Sequence, residues 1–180
     1  MVKYCIRVII ITSLHDLKYE EEITVINPLE PSVLSVNNEE IKLDVGIEDK
    51  LKLQIKFFSK NNALKSEMLG EVTFKKVNIE LQSMELMIMK REIMKGENDY
   101  EPAILAKYEI MDGLPYNNEV VPLRLYLKPY ALTPTYDEVN KKFSVKYFIN
   151  LVLIDMEGKK YFKQREVVLF RIKKQKNDTK

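Results

Sequence analysis

A strict alternation of polar and apolar residues over residues 50–57 constrains the fold more than any other feature. This segment reads KLKLQIKF, so every second side chain is apolar. Successive side chains of a β-strand point to opposite faces of a sheet, which gives this segment one face toward a core and one toward solvent. The pattern therefore predicts a half-buried strand.

Similar strand signals recur along the chain, and no segment is a convincing helix. The chain has 180 residues, which fits one large domain at roughly 100–200 residues per domain. Many short strands separated by turn residues are typical of an all-β sandwich or barrel. The predicted strands lie within residues 2–10, 23–25, 41–45, 50–57, 71–74, 77–93, 105–111, 120–127, 143–154 and 161–172.

The sequence predicts a particular local structure for four segments. Pro122 lacks an amide donor, so its strand is predicted to lie at a sheet edge or to contain a bulge. Residues 77–93 change the parity of their apolar residues near Gln82, which a β-bulge or a bend between two sheets explains. Residues 155–159 contain a glycine near their end and predict a hairpin loop. Residues 136–142 are the best helical candidate, with at most one or two turns.

The charge is nearly balanced, with 29 basic and 27 acidic residues and a net charge of +2. A nucleic-acid-binding domain usually has a basic excess, so we expect no nucleic-acid partner. Basic residues concentrate at residues 173–180, which we interpret as a flexible, solvated tail, with weak contact to anionic lipid as the alternative. One cysteine and no apolar run of about 18 residues predict a protein of the reducing cytosol.

Residues suited to catalysis or metal binding do not form a set in this sequence. His15 lies in a predicted turn, and Cys5 alternates with strand residues, so we expect it to pack. One histidine and one cysteine cannot supply the roughly four ligands of a standard structural zinc site. Five glycines show no phosphate-loop spacing. We therefore predict no enzyme, no metal and no cofactor.

One segment is better explained by binding than by packing. Ile110 and Met111 are adjacent, so in a regular strand they point to opposite faces and one of them faces water. Methionine adapts well to partner surfaces. Leu114 and Tyr116 continue the apolar character into a loop that contains Gly113 and Pro115. The alternative is an ordinary strand end followed by a packed loop.

Residues 107–113, KYEIMDG, resemble the C-terminal half of the vacuolar protein sorting-associated protein 26 family, the arrestin-like subunit of retromer. The resemblance extends in the family's order over almost the whole chain. Further matching segments are residues 2–8, 45–49, 132–135, 140–145, 150–155 and 161–164. Together these matches are highly specific, whereas each one alone is weak.

The resemblance implies an arrestin-like, immunoglobulin-like antiparallel β-sandwich over residues 1–172, with the family's N-terminal arrestin lobe absent. It also implies docking on the α-solenoid subunit of retromer. The docking positions carried over are Ile110 and Met111 with the loop that follows them. That set comprises Ile110, Met111, Asp112, Gly113, Leu114, Pro115 and Tyr116.

A second implied surface binds a PX-domain sorting nexin together with the tail of a transmembrane cargo protein. Its apolar pocket maps to Val45 and Phe162. The resemblance thus implies a cytoplasmic protein held peripherally on endosomal membranes by its complex. The alternatives are an arrestin-fold adaptor of a related endosomal sorting complex and a calcium-dependent lipid-binding sandwich. The last would use carboxylates such as Glu40 and Asp155.

Overall fold

The structure is a computed structural model that describes residues 4–29, 38–94, 102–139 and 142–173. Twelve β-strands and no helix lie in these ranges, which confirms the all-β prediction. The strands are β1 Tyr4–Ile10, β2 Leu17–Ile23, β3 Ile41–Ile47, β4 Leu51–Phe57, β5 Asn61–Ala63, β6 Glu67–Val77, β7 Leu81–Met94, β8 Ala103–Asp112, β9 Val120–Tyr126, β10 Tyr136–Val139, β11 Phe143–Asp155 and β12 Lys160–Phe170.

Two sheets form a sandwich. The four-stranded sheet has the order β3-β4-β6-β9. The six-stranded sheet has the order β5-β12-β11-β7-β8, and β10 pairs with β11. All pairs are antiparallel except β5 with β12, whose three paired positions run parallel. Alternating burial then follows from the pleat: every second residue of β4, beginning with Leu51, is almost completely buried.

The core lies between the two sheets and contains side chains from both. Phe57 and Phe74 enter it from the four-stranded sheet, and Tyr147 enters it from β11. The hydroxyl of Tyr147 is not left unpaired, because the amide of Thr133 donates to it over 3.1 Å. Each large apolar side chain that is fully buried stabilises the fold by about 1.5–3 kcal/mol relative to an exposed one.

The structure tests three of the local predictions made from the sequence. Pro122 lies on β9, an edge strand, as predicted. Residues 77–93 are not one strand, because β6 ends at Val77 in one sheet and β7 begins at Leu81 in the other. The parity change near Gln82 is the predicted β-bulge, because Ile154 of β11 pairs with Ser83 and Asp155 with Leu81, so that Gln82 is an extra residue in β7. The bend between the two sheets lies a few residues earlier. The helical candidate at residues 136–142 is wrong, since its described part begins with strand β10, which pairs with β11.

β1 and β2 form a hairpin that joins neither sheet of the sandwich. Paired residues of an antiparallel hairpin share a face, so the register defines two faces. One face is polar and includes the ion pair between Arg7 and Glu20, 2.6 Å apart. The other face is almost entirely apolar and exposed, with Tyr4, Ile6, Val8, Ile10, Leu17, Tyr19 and Ile23 on it.

The described residues therefore combine the sandwich with a hairpin outside both of its sheets. After the hairpin, the chain returns to the sandwich at Leu29. The Leu29 amide donates to the carbonyl of Arg171 over 2.7 Å, and the Lys173 amide donates back to the Leu29 carbonyl over 3.0 Å. Of the predicted tail, residues 174–180 lie outside the described part of the chain.

Candidate protein-binding surfaces

A β-bulge explains the adjacent apolar residues at the end of β8. Met84 of β7 pairs with Met111, but Glu85 pairs with Glu109, so Ile110 is an extra residue in β8. A bulge places two residues opposite one and removes the strict alternation of faces. Ile110 and Met111 are accordingly both partly buried and packed against the core. The expectation that one of them faces water is wrong for this reason.

The loop after β8 is fixed to the opposite sheet by three hydrogen bonds. The Asn118 amide donates to the Phe74 carbonyl over 2.6 Å, and the Phe74 amide donates to the Glu119 carbonyl over 2.9 Å. The Val77 amide donates to Oδ1 of Asn117 over 2.7 Å. The loop therefore crosses from β8 to β9 in a defined conformation.

Backbone geometry explains why the loop contains glycine and asparagine. Gly113 has φ of 95° and Asn118 has φ of 66°, both in the left-handed region that most residues avoid. Within the loop, the Tyr116 amide donates to Oε2 of Glu119 over 2.8 Å. Pro115 is buried. These contacts restrict the loop before any partner arrives.

The exposed apolar area of this surface comes from the loop and not from the bulge. Leu114 is 57% exposed and Tyr116 is 79% exposed, although both are large and apolar. Asp112 is the last residue of β8, and its side chain lies outside the described part of the structure. Of the predicted docking set, Leu114 and Tyr116 are thus exposed, while Ile110 and Met111 pack against the core and Pro115 is buried.

A hydrogen bond between two tyrosines links β8 to the segment after β9. The hydroxyls of Tyr108 and Tyr130 lie 2.6 Å apart. Burial, together with this hydrogen bond, raises the pKa of Tyr108 far above its usual range, so its phenol remains protonated. The contact lies two residues before the bulge and holds that end of β8 in place.

Val45 and Phe162 line one cleft of about 340 Å³ between β3 and β12. They come from different sheets and distant parts of the sequence. The side chain of Phe162 is 76% exposed, and that of Val45 is partly buried. Sequence reasoning missed the other residues of the cleft, although most of them adjoin the two predicted positions. These are Asp44, Gly46, Lys160, Tyr161 and Lys163.

The cleft lies between two strand edges. β3 is the outermost strand of the four-stranded sheet. β12 pairs with β5 only from Val168 to Phe170, so the outer edge of residues 160–167 has no partner strand in the described structure. The unpaired amides and carbonyls of an edge strand can form hydrogen bonds with an extended segment that binds alongside it.

A buried carboxylate shapes the hairpin that carries Phe162. Asp155 is 5% exposed, and its Oδ1 accepts hydrogen bonds from the amides of Glu157 and Lys159 over 3.1 and 2.9 Å. Its Oδ2 accepts one from the Tyr161 hydroxyl over 3.1 Å. Gly158 has φ of 79° and completes the turn. The predicted hairpin loop at residues 155–159 is confirmed.

We expect Asp155→Ala to destabilise the chain by about 1–3 kcal/mol, because it removes the acceptor of three hydrogen bonds at a buried position. For a chain of this size, that loss lowers the melting temperature by about 2–4 °C per kcal/mol. Asp155→Asn keeps one carbonyl oxygen and should lose less. Thermal unfolding followed by circular dichroism compares the two, and an equal loss in both variants would contradict the assigned hydrogen bonds.

The residues considered for catalysis and metal binding are dispersed. His15 and Cys5 both lie on the hairpin and are exposed, so the expectation that Cys5 packs is wrong. A hydrogen bond to Glu20 raises the pKa of the Cys5 thiol and favours its protonated form. Glu40 pairs with Lys56, 2.9 Å away. Within the described ranges, no three side chains of histidine, cysteine, aspartate or glutamate are grouped as a metal site requires.

Helices suited to crossing a membrane are absent from the described residues.

Comparison with known proteins gives one sequence family and one structural neighbour. The profile of the family described as "Vacuolar protein sorting-associated protein 26" matches residues 1–158. Vacuolar protein sorting-associated protein 26B of Homo sapiens is 45% identical over 171 residues, which are 94% of this chain and 50% of the relative. The Xenopus tropicalis protein of the same name is 44% identical over the same coverage.

The chain thus spans about half the length of the curated relatives it matches. Among solved structures, the sporulation control protein Spo0M of Bacillus subtilis superimposes with a TM-score of 0.53 at 14% identity. The superposition covers 67% of this chain and 49% of that protein. This similarity concerns the fold alone, and it confirms the predicted arrestin-like β-sandwich.

Proposed function

Because the chain belongs to the vacuolar protein sorting-associated protein 26 family, we propose that it is a non-catalytic subunit of the retromer coat. In this role it docks on the α-solenoid subunit and helps to select transmembrane cargo for retrieval from endosomes. The observation that carries the proposal is 45% identity over 94% of the chain. The protein then resides on the cytoplasmic face of endosomal membranes through its complex.

The loop of residues 113–119 is the proposed contact with the solenoid subunit. Interface energy concentrates in a few aromatic and large apolar side chains that become fully desolvated. Tyr116 and Leu114 are such side chains, and both are exposed in the free chain. Their loop is already held by hydrogen bonds to β6, so little ordering entropy is lost when a partner binds.

The cleft between β3 and β12 is the proposed site for a cargo tail beside a PX-domain sorting nexin. Val45 and Phe162 supply apolar area, and the exposed ring of Phe162 gains most from being covered. The strand edges beside the cleft favour an extended ligand, because such a segment can pair with edge amides and carbonyls.

We further propose that the sandwich corresponds to the second arrestin lobe of the family and that the hairpin packs against the first. The apolar face of the hairpin supports this arrangement, since a lone two-stranded hairpin is at best marginally stable in water. The relatives have about twice the matched length, which is enough for another unit of this size.

The proposal is tested by isothermal titration calorimetry of the full chain against the purified α-solenoid subunit. We expect saturable binding with one site per chain. The solenoid subunit of a related endosomal sorting complex serves as the comparison. Binding to that comparison subunit alone would favour the related adaptor, and binding to neither would contradict the docking role.

A further inference from the structure

The cleft between β3 and β12 carries an unbalanced positive charge. Lys160 and Lys163 both line it. Within the described part of the chain, neither lysine has a carboxylate oxygen within 4 Å, and both are exposed. The two ammonium groups are therefore available to a ligand.

Asp44, the carboxylate of the cleft, is already engaged from its own sheet. Its Oδ1 accepts a hydrogen bond from Nε2 of Gln54 over 2.8 Å. Nζ of Lys75 lies 3.7 Å from the same oxygen. Lys75 thus offsets part of the charge of Asp44, and the lining of the cleft retains an excess of positive charge from Lys160 and Lys163.

The lysines flank the exposed ring of Phe162 along the strand. Lys160 precedes Phe162 by two residues and Lys163 follows it directly. With about 3.3 Å per residue, both lysine Cα atoms lie within roughly 7 Å of the Phe162 Cα atom. Side chains two residues apart lie on the same face of a strand, so Lys160 shares a face of β12 with Phe162 and Lys163 lies on the other. A carboxylate two residues from an apolar anchor on an extended ligand therefore falls near Lys160.

Resting on the proposed cargo role of the cleft, we infer that it selects extended peptide segments with an acidic residue two positions from an apolar anchor. The apolar side chain covers Phe162 and Val45, the carboxylate pairs with Lys160, and Lys163 adds to the positive charge of the cleft. Charge complementarity of this kind governs specificity and association rate more than raw affinity. A cleft of about 340 Å³ beside open strand edges suits an extended peptide better than a broad lipid surface.

The test uses two synthetic ten-residue peptides that share one leucine anchor. One carries glutamate two residues before and two residues after the leucine, and the other carries glutamine at both places. Binding of the full chain is measured by fluorescence anisotropy at 0.1 M and 0.5 M salt. We expect the glutamate peptide to bind about fivefold more tightly at low salt, since each exposed ion pair contributes modestly. The preference should shrink at high salt, where screening shortens the range of charge interactions.

Variants separate this inference from the cargo role itself. Lys160→Gln with Lys163→Gln should abolish the preference, while Lys65→Gln with Lys128→Gln, on exposed positions outside the cleft lining, should retain it. Phe162→Ser should weaken both peptides equally. Equal affinity for the two peptides, with loss on Phe162→Ser, would overturn the acidic preference and leave the cargo role standing. Binding that is absent, or unaffected by Phe162→Ser, would overturn both.

Discussion

The double variant Leu114→Asp with Tyr116→Asp should bind the α-solenoid subunit at least about 100-fold more weakly than the unchanged chain. Burial of a large apolar side chain contributes about 1.5–3 kcal/mol, and about 1.4 kcal/mol corresponds to a factor of ten in affinity. Both side chains are mainly exposed in the free chain, so the melting temperature should hardly change. Calorimetry against the solenoid subunit measures the first quantity and thermal unfolding the second.

Met156→Asp is the matched control, because Met156 is 64% exposed on the hairpin between β11 and β12, far along the chain from the loop. It should leave solenoid affinity unchanged. Ile110→Asp with Met111→Asn should lower both affinity and melting temperature, since these side chains pack against the core. Undiminished affinity of the loop variant would place the docking surface elsewhere on the chain.

Gly70→Ala should destabilise the chain by about 3 kcal/mol, at the upper end of the usual cost of overpacking. A Cβ atom at Gly70 lies 2.4 Å from the carbonyl oxygen of Lys56 and 2.9 Å from Cδ1 of Phe57. The oxygen belongs to the backbone of β4, so relief requires β4 and β6 to separate where Gly70 pairs with Phe57. At about 2–4 °C per kcal/mol, the melting temperature should fall by roughly 6–12 °C.

The matched control is Gly46→Ala on β3. A Cβ atom there meets only the Leu51 carbonyl oxygen at 3.8 Å, an ordinary contact. The free energy of unfolding of Gly46→Ala should stay within about 1 kcal/mol of that of the unchanged chain. Equal melting temperatures for the two alanine variants would show that the close approach of β4 to Gly70 is not what destabilises Gly70→Ala.

Local chemistry made much of the sandwich predictable from sequence. Alternation over residues 50–57 predicts β4 because one face is buried, and the missing amide of Pro122 predicts an edge strand. The failures involve tertiary context. Residues 136–142 are too few to show a helical or strand period clearly, and pairing with β11 decides in favour of strand β10.

The structural details of the candidate surfaces were not predictable from the sequence. A bulge adds a residue without any local sequence signal, so the exposure of Ile110 and Met111 was misjudged. Likewise, no local pattern shows that Val45 and Phe162 line one cleft, because their proximity depends on how the two sheets stack. Cys5 alternates as a packed residue does, yet its face of the hairpin is exposed.

The strand orders place the two surfaces on opposite open sides of the sandwich. β3 and β12 border the cleft, whereas the loop of residues 113–119 joins β8 to β9, the far edges of the same sheets. Three strand spacings, about 14 Å, separate the outer strands of the four-stranded sheet. The two surfaces therefore share no strand. If a chain is anchored through its loop, as proposed, its cleft is held at a fixed location, so the effective concentration of clefts beside a clustered ligand rises with the number of anchored chains.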